Sequence, residues 1–257
     1  MQGGAYLTFT VAVDGKGGVG KTTFAALAIR HLHESTGEVI LAVDADPNAN
    51  LGLKLGTEPG RTVGSIREEL TATGEEPPKG MSRQEHLEYQ IRLALKEGAS
   101  FDLLTMGRQE GPGCYCYVNN MLRTFVDALS EQCKYVVIDN EAGMEHLSRR
   151  TTRSSDVFFV LCDRSKTSLE AARRISALAS EMKLSTKRKI LVFNMLDPES
   201  EGPPMHEVEG FDAVHGVRKS SFIQARTQES ESLLDVPRRD PAFSDVARAV
   251  DAERAIK

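Results

Sequence analysis

The nine residues GKGGVGKTT, Gly15 to Thr23, constrain this chain more than any other stretch. They fit the pattern G-x-x-x-x-G-K-[ST] and lie between an apolar β-branched run, YLTFTVAVD (6–14), and a helical pattern, GKTTFAALAIRHLHES (20–35). Glycines tolerate the dihedrals that let successive backbone N–H groups, here from Gly17 to Lys21, wrap a phosphate. The start of the following helix adds partial positive charge. In this arrangement Gly15, Gly17, Gly18, Val19 and Gly20 form the cradle, and Lys21 neutralises β- and γ-phosphate oxygens. Thr22 holds Mg2+ through its hydroxyl, and Thr23 is placed for the α-phosphate.

Apolar runs and helical patterns alternate along the rest of the chain. Strands are expected at VILAVDAD (39–46), FDLLTMG (101–107), KYVVIDN (134–140), DVFFVLCD (156–163) and RKILVFNML (188–196). Helices are expected at NNMLRTFVDALSEQ (119–132), SLEAARRISALASEM (168–182) and SDVARAVDAERAIK (244–257). TATGEEPPKGMSRQ (71–84) reads as a loop with charged helical flanks, and the pattern blurs after residue 196. The alternation predicts an α/β fold, a single doubly wound, mostly parallel sheet with helices on both faces. No linker or internal repeat divides the chain, so residues 1–257 are expected to form one domain.

The formal net charge of -5 argues against a protein that coats nucleic acid. No apolar run approaches the roughly 20 residues of a membrane helix. The first residues lack a basic segment followed by a long apolar core, so a cytoplasmic address with neither nucleic-acid nor membrane partner is expected. Four cysteines in such a chain are not a disulfide framework.

Lys16, directly after Gly15, makes the loop resemble the deviant Walker A motif, K-G-G-x-G-K-[ST]. The family with that motif includes the nitrogenase iron protein and the MinD and ParA ATPases. The resemblance implies ATP sandwiched across a homodimer, with Lys16 reaching the partner subunit's nucleotide. VDADPNANL (43–51) resembles its switch I; Asp46 is then the residue that orients or deprotonates the attacking water, and Asp44 is structural. In VVIDNEAGMEHLSRR (136–150), Asp139 takes the Walker B position and holds Mg2+ through water. The residues through Glu145 read as switch II, with His146 a coupling or structural residue. Asn194 lies at a strand end, at the place of the family's adenine-reading asparagine. The matching adenine loop, VHGVRKSSF (214–222), lacks the family's usual proline, and Arg218 and Lys219 are placed near the base. ATP over GTP rests on the resemblance.

Cys114 and Cys116 stand one residue apart behind Gly-Pro-Gly, at what reads as a helix start that favours thiolate. Two thiols do not fill a sulfur site for Ni2+ or Zn2+, which wants about four ligands, but a two-fold dimer offers the pair twice. The pair also reads as two buried small side chains or as a strained redox couple. Cys133 and Cys162 read as core or near-core residues.

EGPGCYCYVNNMLR (110–123) together with IDNEAGMEHLSRRTT (138–152) resembles the CooC family, nickel-insertion accessory ATPases of carbon monoxide dehydrogenase, and the relative that matures acetyl-CoA synthase. The resemblance runs from about Val11 to about Asn194. It implies an ATP-hydrolysing homodimer that holds one Ni2+, or Zn2+ in vitro, between paired Cys114 and Cys116 motifs and serves a nickel-enzyme client. Three rivals belong to other classes. A partition or placement ATPase would bind DNA or membrane, and no basic surface run supports that. A dimeric iron–sulfur reductase would draw its cysteines from two separate segments. An iron–sulfur scaffold ATPase would carry Cys-x-x-Cys near the C-terminus, which is absent. Residues 57–98 have no assigned role, client contact being one guess.

Overall fold

A computed structural model describes residues 8–58, 60–72, 77–107, 129, 132–142, 154–200 and 202–256. The elements run β1 (Phe9–Gly15), α1 (Lys21–Thr36), β2 (Ile40–Asp44), α2 (Leu51–Lys54), α3 (Val63–Ala72), α4 (Arg83–Ala94), β3 (Phe101–Thr105) and β4 (Tyr135–Asp139). Then follow β5 (Ser154–Cys162), α5 (Lys166–Glu181), β6 (Ser185–Leu196), β7 (Ala213–Arg218), α6 (Ser221–Gln228) and α7 (Pro241–Arg254). Seven strands form one sheet in the order β3-β2-β4-β1-β5-β6-β7, and every neighbouring pair is parallel.

Residues of β1, β2, β4 and β5 are apolar on both faces because helices cover both. Val11, Val13, Val137, Phe159 and Val192 meet Phe24 and Leu27 of α1 and Phe243 and Val246 of α7 on one face. On the other, Leu41, Val43 and Ile138 meet α3 and α4, while Ala12, Phe158 and Val160 meet α5. The alternation of side chains along each strand therefore sorts residues between two cores. The same alternation decides which carboxylates face α1.

The ends of several elements differ from expectation for local reasons. β6 starts at Ser185, not 188, because its polar first half pairs with Ser154 and Ser155 while remaining half exposed. α7 starts at Pro241: the Asp240 carboxylate accepts the N–H groups of Ala242 (2.9 Å) and Phe243 (3.3 Å), and proline suits the first helical position. The blurred region after 196 holds β7, a half-buried edge strand, and α6, whose N-cap Ser220 hydroxyl accepts the Ile223 N–H at 3.1 Å. The helix expected at 119–132 lies outside the described residues except for Leu129 and Gln132, as do Cys114, Cys116 and, of the switch II stretch, Gly143 to His146.

Candidate nucleotide site

β1 is the strand at which the sheet order reverses, with β4 on one side and β5 on the other. The crevice beyond the carboxyl end of such a strand is where open parallel sheets bind ligands. The loop from Gly15 to Gly20 lies there, and two of its glycines permit its path. Gly15 has φ 148°, and a Cβ on it would sit 2.4 Å from the Leu161 carbonyl oxygen of β5. Gly20, the N-cap of α1, has φ 90°, and its Cβ would sit 2.6 Å from Asn194 Nδ2. Lys16 is exposed on the loop, whereas Lys21 is buried with Nζ 3.5 Å from the Lys16 carbonyl oxygen.

Asp44 and Asp139 are register partners at the ends of β2 and β4, on the α1 face. Asp44 is fully used by the backbone: Oδ2 accepts the Leu51 N–H at 2.9 Å and Oδ1 the Asp46 N–H at 3.2 Å. Burial still pushes its pKa up to about 6. It pins both ends of the 44–51 turn. Within that turn Asp46 Oδ1 accepts the Asn48 backbone N–H at 2.9 Å and its side-chain amide at 2.8 Å, which fixes the carboxylate's direction.

Asp139 differs. It is 1% exposed, and neither carboxylate oxygen completes a well-formed hydrogen bond among the described residues. Burial pushes its pKa up to about 8; the nearby Thr22 hydroxyl lowers it, Asp44 raises it, Lys21 lowers it and Asp46 raises it. Two desolvated acceptor oxygens beside a hydroxyl and other carboxylates form the donor set of a hard cation that keeps several waters. Mg2+ fits these residues, with Thr22 and Asp139 to hold it.

A cavity of about 380 Å3 opens beside the loop, between α1, β6, β7, α6 and α7. Phe24, Leu27, Val217 and Ile223 give it apolar walls. Asn194 lies on its rim and donates from Nδ2 to the Val19 carbonyl oxygen at 2.8 Å, which ties the end of β6 to the loop. Arg218 and Lys219 also border it, with their charges engaged elsewhere. The Arg218 guanidinium is bidentate to Asp245, at 2.8 Å for each contact, and Lys219 Nζ lies 2.7 Å from Asp197 Oδ1. Size and lining suit a flat heterocycle adjoining a phosphate cradle.

The sequence reading brought Lys21, Thr22, Asp139, Asp46 and Asn194 to one end of the sheet, and the structure places them there together. It did not single out Asp14, Met195 or the walls from α6. Asp14 is hidden inside an apolar run, and α6 follows a strand whose alternation is weak. Cys162 is fully buried, and burial pushes its thiol up to about 12; Cys133 packs against the core. Among the described residues no helix is long and apolar enough to cross a membrane, and no group of three or more His, Cys, Asp or Glu side chains is arranged as a metal site.

An uncharacterized ATP-binding protein of Methanocaldococcus jannaschii is 50% identical over 193 residues, covering 74% of this chain and 76% of that one. The carbon monoxide dehydrogenase accessory protein CooC of Rhodospirillum rubrum is 29% identical over 253 residues, 94% of each chain. The MinD cell division protein of Aquifex aeolicus has the same fold, with a TM-score of 0.64 at 22% identity over 97% of this chain and 96% of that one. A ParA family ATPase from Chlorobium tepidum does too, with a TM-score of 0.69 at 16% identity over 95% and 97%. Residues 10–218 match the CobQ/CobB/MinD/ParA nucleotide binding domain, a stretch that runs from β1 through the phosphate loop to the last residue of β7. The chain therefore belongs to the CobQ/CobB/MinD/ParA nucleotide-binding family.

Proposed function

We propose that this protein is an ATP-hydrolysing metallochaperone that works as a homodimer and hands Ni2+ to a nickel enzyme, carbon monoxide dehydrogenase or acetyl-CoA synthase. The observation that carries this reading is the coincidence of Cys114-x-Cys116 with near full-length similarity to an accessory protein of carbon monoxide dehydrogenase. Nickel is cargo, held by the two cysteine pairs of a dimer. The relative at 50% identity, itself named an ATP-binding protein, supports ATP as the nucleotide.

The loop from Gly15 to Thr23 binds the phosphates, and Lys21 leaves the Lys16 carbonyl to meet them. Lys16, exposed in one protomer, reaches the nucleotide of the other. Mg2+ held by Thr22 and Asp139 neutralises phosphate charge when bound. Asp46, oriented by Asn48, positions the water that attacks the γ-phosphorus and accepts its proton as the bond to the β–γ bridging oxygen breaks. Asn194 and the apolar cavity receive the base, with Arg218 and Lys219 at its border. Loss of the γ-phosphate loosens the switch segments, and the dimer interface that carries the thiols changes with them.

Asp46→Ala is expected to slow hydrolysis by about 10²- to 10⁴-fold with little change in ATP affinity. Single-turnover phosphate release beside equilibrium ATP binding separates the two, and an equal loss in both would remove Asp46 from the chemistry. The metal reading is tested by equilibrium dialysis with Ni2+ on the reduced, anaerobic protein, paired with its mass in solution. One Ni2+ per dimer, lost in Cys114→Ser/Cys116→Ser, is expected. Absence of thiol-dependent nickel binding in every nucleotide state would leave a dimeric ATPase and return attention to the partition reading. A brown protein with stoichiometric iron would favour the reductase.

A further inference from the structure

The end of β6 breaks the alternation of a regular strand. Its pairing with β7 shifts register between Phe193 and Leu196, and Met195 inside that irregularity has φ 58°. A left-handed backbone at a residue with a Cβ is strained. In a regular strand, Asn194 and Met195 would point to opposite faces. Here both reach the same glycine: a Cβ on Gly20 would lie 2.6 Å from Asn194 Nδ2 and 3.4 Å from Met195 Cε. The bulge has therefore swung Met195 onto the phosphate loop, as bulges beside binding sites re-aim side chains.

Burial does not explain the strain. Met195 is 46% exposed, among the most exposed large apolar residues of the described chain, yet it stands at the rim of the cavity with Asn194 and Val217. An occupant of the cavity would cover it. Thioethers make favourable contacts with flat aromatic systems, and methionine adapts its shape to them.

Resting on the nucleotide reading above, we propose that Met195 is a base-clamping residue. Its thioether closes over the nucleobase in the cavity and strengthens binding of base-bearing nucleotides, while the phosphate chain is held without its help. Asn194, fixed on Val19, and Met195 then act as neighbours delivered to one ligand by one bulge.

The test is calorimetric binding of Mg2+-ATP and, separately, of inorganic tripolyphosphate with Mg2+, which has no base, to wild type, Met195→Ala and Met195→Gly. Thermal midpoint and mass in solution are recorded for each. Both substitutions are expected to weaken ATP by about two- to tenfold, the range that sulfur–aromatic contacts span, and to leave tripolyphosphate unchanged. Met195→Gly should also raise the ligand-free midpoint, since glycine adopts the left-handed conformation without strain. Equal losses for both ligands would mean that Met195 only props Gly20, and unchanged ATP binding would remove it from the site; either overturns the inference. A variant that dissociates the dimer would assign Met195 to the partner interface and overturn it as well. Wild type that binds neither ligand would sink the nucleotide reading itself.

Discussion

Asp139→Asn is expected to make the nucleotide-free protein more stable and to erase the stabilisation that Mg2+ adds in the presence of ATP. The carboxylate is 1% exposed, with neither oxygen well bonded among the described residues, and its pKa is pushed up from 3.8 to about 8 by burial. At pH 7 the folded protein holds a proton that the unfolded chain releases. Retaining it costs up to about 4 kcal/mol at 1.36 kcal/mol per unit. An amide of nearly the same shape carries no such cost. The wild-type protein recovers the penalty when a hydrated dication and the nucleotide phosphates arrive, and ligand at 100 times its Kd adds about 2.7 kcal/mol. Thermal scans with ATP, with and without Mg2+, should show a magnesium-dependent rise for wild type and none for the variant. The variant's ligand-free midpoint should start higher. A magnesium-dependent rise of wild-type size in Asp139→Asn would show that the cation is held elsewhere.

The parts of this molecule that were legible in the sequence are those with local signals. The phosphate loop is one continuous stretch with its own backbone requirements, and four of the strands are apolar on both faces, so each stands out from its neighbours. β7 did not stand out. As an edge strand it is half-buried, and its sequence AVHGVR alternates too weakly to mark it. The base cavity was illegible for a different reason: five elements between Gly20 and Val246 build it, and no single segment carries its outline. The start of α7 carries a local signal, because Asp240-Pro241 is a cap followed by a first-position proline, which sets the helix three residues before the expected start at 244. Met195 looked like one more apolar residue of a strand; only the register shift in the β6–β7 pairing reveals its turn towards Gly20. The Cys-x-Cys motif lies outside the described residues, so its reading continues to rest on spacing and resemblance.

Asp14→Asn is expected to stabilise the protein in a way that grows with pH. Asp14 lies one residue before the phosphate loop, fully buried, on the opposite face of the sheet from Asp139. Oδ1 accepts the Gly15 N–H at 2.6 Å, while Oδ2 has no partner among the described residues. Burial raises its pKa from 3.8 to about 7, against the lowering effects of the Gly15 N–H and of Lys21. With the folded value above the unfolded one, the group's contribution to stability is fully present below about pH 4. It is lost as pH rises to about 7, where the deficit levels off near 4 kcal/mol at most. Asparagine keeps an oxygen for Gly15 and has no proton to lose. Urea unfolding at pH 4, 6 and 8 should therefore give variant and wild type the same stability at the lowest pH and a widening gap above it. Each kcal/mol is worth about 2–4 °C in thermal midpoint for a chain of this size. A variant less stable than wild type at pH 8 would mean that Asp14 is ionised and that a nearby cation such as Lys21 outweighs its burial. If the gap appears and ATP turnover falls with it, the carboxylate at the root of the loop has a function that outweighs its cost, as strained or desolvated groups near a site commonly do. If turnover is unchanged, Asp14 is a plain weakness of the core, and its removal is the simplest route to a sturdier protein.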